Sequence, residues 1–169
     1  MDEITCTTSQ ERSKAPVEDF YNIFKGDELF EDAVFKPNSD TIFWDKFGED
    51  HGVAASFNSE IEWTRAREAF PDFTLFGREG IHPSDVRQGA IGNCWFISAA
   101  SAVSEIPGRL EKVFLNNNNQ LSKNGIYGVN IYTLGMPHTI LVDDYLPLAP
   151  QSYGGSTFYR TLFSHVGKD

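Results

Sequence analysis

Cysteine is scarce in this chain: only Cys6 and Cys94 occur among 169 residues. One lies in a polar leader and the other in an apolar segment, so no disulfide framework is implied. A reducing, cytoplasmic compartment is the matching expectation. Long apolar runs are also absent; nothing reaches the roughly 20 residues that a membrane-spanning helix needs. The N-terminus, Met1-Asp2-Glu3-Ile4-Thr5-Cys6, lacks the basic and apolar regions of a secretory signal. Bases are few, with 14 Lys and Arg against 24 Asp and Glu, for a net charge of −10. Residues 1–80 hold 18 of the acids and 8 of the bases, whereas residues 81–169 hold 6 of each. Without a basic footprint, nucleic-acid binding is excluded as a leading reading. The acidic half could attract cations such as calcium, although such surfaces more often only keep a protein solvated.

What is present is enough to fold. At 40% hydrophobic and 14% aromatic residues, a chain of this length can bury one core. Residues 1–27 read as a flexible acidic leader, with a short helix near Val17–Phe24. From Val17 to Phe47 aromatic residues alternate with acids and turn formers, as in a segment pinned across a neighbouring surface by its rings. Ile61–Ala69 suits a short helix closed by Pro71, and Phe76–Gln88 has the composition of a loop. A largely buried helix is predicted from Asn93, carrying Trp95, Phe96, Ala99, Ala100, Ala102 and Val103, and ending before Pro107. A second helix is expected over Pro107–Leu115, and the run Asn116–Asn119 reads as a surface loop. Ile126–Thr133 and His138–Val142, rich in β-branched residues, form a predicted hairpin. Asp143-Asp144 reads as a solvated turn, and the tail beyond Pro147 carries no clear signal.

The chemistry gathers in Gln88-Gly89-Ala90-Ile91-Gly92-Asn93-Cys94-Trp95-Phe96. A thiolate in the first turn of a helix meets the positive end of the helix macrodipole and free backbone N–H groups. Gly89 and Gly92 permit close approach of a substrate carbonyl. Gln88 can offer a side-chain amide to a developing oxyanion, with the Cys94 N–H as a second donor. A lone cysteine in an apolar stretch is more often an inert core residue, and a lone glutamine a surface one. The combination of amide, two glycines, cysteine and tryptophan is what core packing would not require.

The stretch Asp85-Val86-Arg87-Gln88-Gly89-Ala90-Ile91-Gly92-Asn93-Cys94-Trp95-Phe96 resembles the signature of the calpain family of papain-fold cysteine proteases. Gly128–Tyr132 and Ile140-Leu141-Val142-Asp143-Asp144-Tyr145-Leu146-Pro147 resemble the strand pair and turn of that core. Leu29-Phe30-Glu31-Asp32 and Ile42-Phe43 fit more loosely, so the likeness covers about residues 28–150. The resemblance implies an α+β, papain-like fold, of which residues 28–169 would be the first, mostly helical subdomain with a β-hairpin. It implies a calcium-dependent endopeptidase acting on intracellular proteins, with Cys94 as nucleophile, Gln88 at the oxyanion, and Gly92 and Trp95 against the substrate. It also implies a partial calcium site made of the Arg78 and Gly80 carbonyls and the Asp85 carboxylate, whose further acid would lie beyond Asp169. Calcium ordinarily takes six to eight oxygens, so such a set should bind weakly; on its own, Asp85 reads as a turn former.

Asn93 departs from the family, which usually has aspartate before the cysteine; removing that charge favours the thiolate slightly. A papain-type histidine is expected about 130–150 residues beyond the cysteine. His138 and His165 both follow Cys94 far sooner than that. Both read as structural or surface residues, so the histidine and asparagine are expected from a second subdomain and this chain alone should be inactive. The alternatives are a non-catalytic calpain-like module that binds other proteins, and a redox-sensing Cys94.

Overall fold

In a computed structural model, residues 17–42, 61–85, 87–89, 91–116, 118–153 and 156–163 are described. Helices α1 (Val17–Phe24) and α2 (Ser39–Ile42) precede β1 (Glu62–Arg65), which runs directly into α3 (Ala66–Ala69). After a 3₁₀ turn at Pro83–Asp85 comes α4 (Cys94–Ser104), then a second 3₁₀ turn at Glu111–Val113. Strands β2 (Tyr127–Thr133), β3 (Met136–Val142), β4 (Tyr145–Tyr153) and β5 (Ser156–Thr161) follow.

The expected hairpin is β2–β3, in antiparallel register from Tyr127↔Val142 to Thr133↔Met136. Its loop is only Leu134-Gly135, both at positive φ (52° and 79°), the conformation of two-residue hairpin turns whose twist matches the strands. Strand β4 is the centre of a second antiparallel sheet, with β1 on one side and β5 on the other. Glu62 pairs with Leu148, which also pairs with Thr161, so all three strands meet at the fully buried Leu148.

Several expectations are corrected here. The fold mixes α and β, but it is not mostly helical: five strands are present, against two α-helices of eight or more residues among the described residues. Residues 62–65 are strand, because Glu62-Trp63-Thr64-Arg65 docks on β4 and helix starts only at Ala66. Pro107–Leu115 is no helix; Gly108 turns at φ 75°, and only one 3₁₀ turn forms beyond it. The tail beyond Pro147, uninformative in sequence, holds most of β4 and all of β5. The ring-rich stretch of residues 43–47 lies outside the described residues.

Two residues of the asparagine run, Asn116 and Asn119, are structural. Buried Asn116 donates its side-chain amide to the Ile126 carbonyl (3.1 Å) and accepts from the Gly128 N–H (3.1 Å). Asn119 accepts from the Phe76 N–H (2.7 Å) and donates to the Gly77 carbonyl (2.9 Å). One amide can satisfy both backbone polarities of a passing segment, which explains why asparagine serves inside. Helix α1 is tied in similarly: Phe20 is buried, and fully buried Asn124 donates to the Ile23 carbonyl (2.6 Å).

Asp143-Asp144 is likewise no solvated turn. Asp144 accepts from the Arg65 guanidinium at 2.7 Å, and the Arg65 and Asp144 side chains are only 6% and 3% exposed. Arg65 also donates to the Phe30 carbonyl (3.0 Å) and lies 4.4 Å over the Tyr145 ring. Asp143 accepts from the Asp32 N–H (2.9 Å) and the Tyr145 N–H (3.2 Å). Gly125, at φ 71°, fits because a Cβ there would collide with the Asp144 carboxylate and the Arg65 guanidinium. Arg65→Ala leaves the Asp144 carboxylate buried without its cation, and should cost about 3–5 kcal/mol in urea denaturation. A loss below about 1 kcal/mol, the range of exposed ion pairs, would show the pair to be solvated.

Candidate active site

Cys94 is the first residue of α4, where sequence placed it, and its thiol is free and exposed. Asn93 is the helix N-cap, and its carbonyl accepts from the Phe96 and Ile97 N–H groups, both at 3.0 Å. These bonds open the helix and fix the direction in which its dipole points.

The loop before the cysteine has no core of its own and is held by the chain that leaves β5. The Gly89 N–H donates to the Phe163 carbonyl (3.1 Å), and the Ile91 N–H donates to the Leu162 carbonyl (3.2 Å). Leu162, itself buried, donates its N–H to the Pro147 carbonyl on β4 (3.1 Å). The loop therefore lies against the end of the three-stranded sheet. Gly89 is needed for that approach, since a Cβ there would collide with the Leu162 carbonyl. Around Gly92 the position of a Cβ is open space, so its role is not one of packing.

Gln88 is exposed and donates its amide to the Ile91 carbonyl within its own loop (3.0 Å). A primary amide has two N–H groups, so one remains for another acceptor. Trp95 is 74% exposed and Phe96 55%, their rings edge to face at 5.8 Å. This corrects the buried-helix expectation: Ser104 is the only buried residue of α4. Half-buried Ile97, Ala100 and Ser101 lie with Ser104 along one side, while Ser98, Ala99 and Ala102 face outward with Trp95. Because the sequence is apolar or small on every side of the helix, hydrophobicity alone could not say which side is covered.

Of the expected calcium ligands, Arg78 and Gly80 sit in the loop before the 3₁₀ turn and Asp85 ends that turn. Gly80 has φ 81°, and Asn119 anchors the preceding Phe76-Gly77 backbone. The exposed Asp85 closes its own turn: its carboxylate accepts from the His82 N–H (2.9 Å) and its N–H donates to the His82 carbonyl (2.9 Å). No group of three or more His, Cys, Asp or Glu able to hold a metal occurs among the described residues. The donors fit calcium in kind, being oxygens, but one carboxylate falls short in number. His138 lies in β3 opposite Ile131, and His165 is outside the described residues. Sequence reasoning missed Phe163 and Leu162, whose backbone holds the loop; a backbone acceptor leaves no trace in side-chain pattern.

A free thiol at a helix start, reached by a glycine loop pinned to a sheet, is an arrangement that suits nucleophilic chemistry. Comparison with known proteins gives the family. The profile described as calpain family cysteine protease matches residues 30–165. Calpain-5 of Caenorhabditis elegans is 33% identical over 128 residues, covering 73% of this chain and 18% of that protein. Calpain-12 of Homo sapiens is 31% identical over 123 residues, covering 71% of the chain and 16% of the relative. The calpain-type cysteine protease DEK1 of Arabidopsis thaliana is 30% identical over 129 residues, with 73% and 6% covered. The chain belongs to the calpain family of cysteine proteases. It spans less than a fifth of the length of these relatives.

Gly89→Ala should destabilise the chain by about 1–3 kcal/mol, the usual cost of overpacking a closed contact. Thermal unfolding checks this, and an unchanged midpoint would mean that the loop does not lie on Leu162.

Proposed function

We propose that this chain is the nucleophile-bearing part of a calcium-dependent cysteine endopeptidase that cleaves cytoplasmic proteins. Family membership supports a cysteine protease function. The observation that carries the reading to these residues is the free, exposed Cys94 thiol at the first position of α4.

In this reading the Cys94 thiolate attacks the scissile carbonyl carbon, and the negative charge moves to its oxygen. The Cys94 N–H and the second N–H of the Gln88 amide stabilise that oxyanion. The C–N bond then breaks, and the leaving amine takes a proton from a histidine of a second catalytic subdomain. Water hydrolyses the thioester and restores the thiol. Gly92 leaves room for the substrate backbone, and the exposed Trp95 and Phe96 rings give an apolar wall beside it. The outward side of α4 is where that second subdomain, with its histidine and asparagine, would meet this one.

The chain alone is then a nucleophile without its base, and no cleavage of casein is expected from it. Its thiol can still be tested. With Cys6 replaced by serine, iodoacetamide at pH 7 should label Cys94 about tenfold faster in the folded chain than in urea, since a helix N-terminus favours the thiolate. Equal or slower labelling in the folded chain would overturn the nucleophile and favour a non-catalytic binding module.

Calcium would be held by the Arg78 and Gly80 carbonyls and the Asp85 carboxylate, supplying positive charge that stiffens the loop ahead of Gln88. With so few oxygens in this chain, titration calorimetry with calcium chloride should give a dissociation constant no tighter than about 10⁻⁴ M. Asp85→Ala should abolish the heat. No heat from the wild-type chain, or the same heat from the variant, would remove calcium from these residues.

A further inference from the structure

Asparagine at a helix N-cap ordinarily turns its side-chain oxygen back onto the N–H groups of the first turn, which stabilises the helix by about 1 kcal/mol. Asn93 does not. As N-cap of α4 it makes no side-chain capping bond. Its amide instead points away from the helix and donates to the Phe163 carbonyl at 3.2 Å. That carbonyl already accepts from the Gly89 N–H at 3.1 Å, so both of its lone pairs are used. The Asn93 Oδ1 is left buried, and no donor among the described residues reaches it.

We infer that Asn93 is a positioning residue: its amide clamps the Gln88–Cys94 loop to the end of β5 and thereby keeps the start of α4 uncapped for Cys94. The inference rests on Cys94 being the nucleophile. Two functions that conflict in one side chain are separated here. A capping oxygen would take the Trp95 N–H, since the Phe96 N–H already donates to the Asn93 carbonyl, and would bring negative charge toward the sulfur. A clamping amide avoids both and fixes where the first turn points. Three bonds to two successive carbonyls, from Gly89, Ile91 and Asn93, set the loop's register. Gln88 and Cys94 lie at the two ends of that loop, so the register also governs their separation.

Aspartate, the usual residue of the family at this position, would behave differently in this chain. An ionised carboxylate cannot donate to the Phe163 carbonyl and would be repelled by it. It would swing back to cap α4 at the Trp95 N–H, setting a negative charge beside the thiol. A protonated carboxyl, by contrast, has one O–H and can renew the clamp.

The test uses the full chain with Cys6 replaced by serine, and compares Asn93→Asp and Asn93→Ala with wild type. Amide hydrogen exchange at Gly89 and Ile91, corrected for intrinsic rates, reads the clamp, while the pH profile of iodoacetamide labelling reads Cys94. At pH 7 exchange at both amides should quicken about fivefold to tenfold in either variant, the loss of one buried hydrogen bond. Labelling at that pH should slow severalfold, with its profile displaced to higher pH. In Asn93→Asp, protection should return as the pH falls below about 4, where the carboxyl regains its proton; Asn93→Ala should show no such return. Wild-type exchange in both variants would overturn the proposal. So would faster exchange with an unaltered labelling profile, the mark of a merely structural contact. Failure of the nucleophile reading appears separately, as ordinary Cys94 reactivity in the wild-type chain.

Discussion

The Arg65–Asp144 ion pair is the contact on which the rest of this structure depends. Both groups are out of water, and a buried charge survives only if its partner and its remaining hydrogen bonds are in place. Here they are: Arg65 meets the Asp144 carboxylate, the Phe30 carbonyl and the face of Tyr145. The pair therefore joins the segment after α1, the end of β1 and the start of β4. The Ala66 N–H donates to the Asp144 carbonyl (2.8 Å), tying the backbones at the same point. Strand β4 then carries β5, the end of β5 carries Leu162 and Phe163, and those carry the cysteine loop. Cys94 is thus positioned by a salt bridge whose two partners lie far from it in sequence, one on either side.

Polar side chains do much of the work that apolar packing does elsewhere. Fully buried apolar side chains are few among the described residues: Phe20, Ile126 and Leu148. Fully buried asparagines are nearly as many, Asn116 and Asn124. Ser122 and Tyr127 extend the network, the Ser122 N–H donating to the Tyr127 hydroxyl (2.9 Å) and the Ser122 hydroxyl to Asn124 (2.8 Å). Such bonds add little net energy when made but leave expensive orphans when broken, so they specify one arrangement more than they strengthen it. Asp143 shows the cost. Burial pushes its carboxyl pKa up, against the pull of the Asp32 and Tyr145 N–H groups. A raised folded-state pKa means that the fold prefers the protonated acid. Its ionisation hence destabilises the fold progressively as pH rises above the unfolded value of about 4.

These facts explain what sequence could and could not reveal. The cysteine loop and the hairpin were legible because their signals are local. A glycine-rich approach to a cysteine, and β-branched alternation around a short turn, are each contained within one short stretch of chain. Illegible features depended on distant partners. Asp144 reads as solvated until Arg65, 79 residues away, is brought beside it. Asn116 reads as a loop residue until β2 presents Ile126 and Gly128 to it. Residues 62–65 have helical neighbours on one side, and only docking on β4 makes them strand. In α4 the limits of the helix were legible and its covered face was not, since no side of it is polar enough to declare itself.

The site also divides its labour between a local and a distant cause. Favouring a thiolate needs only the start of α4, because a macrodipole is a property of one helix and falls off within a turn. In the proposed mechanism, aiming the sulfur and the Gln88 amide at the same carbonyl needs a fixed loop, and the loop takes its register from Leu162 and Phe163. The first requirement concerns only a few residues around Cys94, whereas the second reaches through β5 and β4 to Arg65. A substitution in the sheet can therefore leave the thiol as reactive as before and still misplace it relative to the proposed oxyanion donors. Reactivity toward a small alkylating reagent and competence toward a peptide are, in this architecture, separable properties.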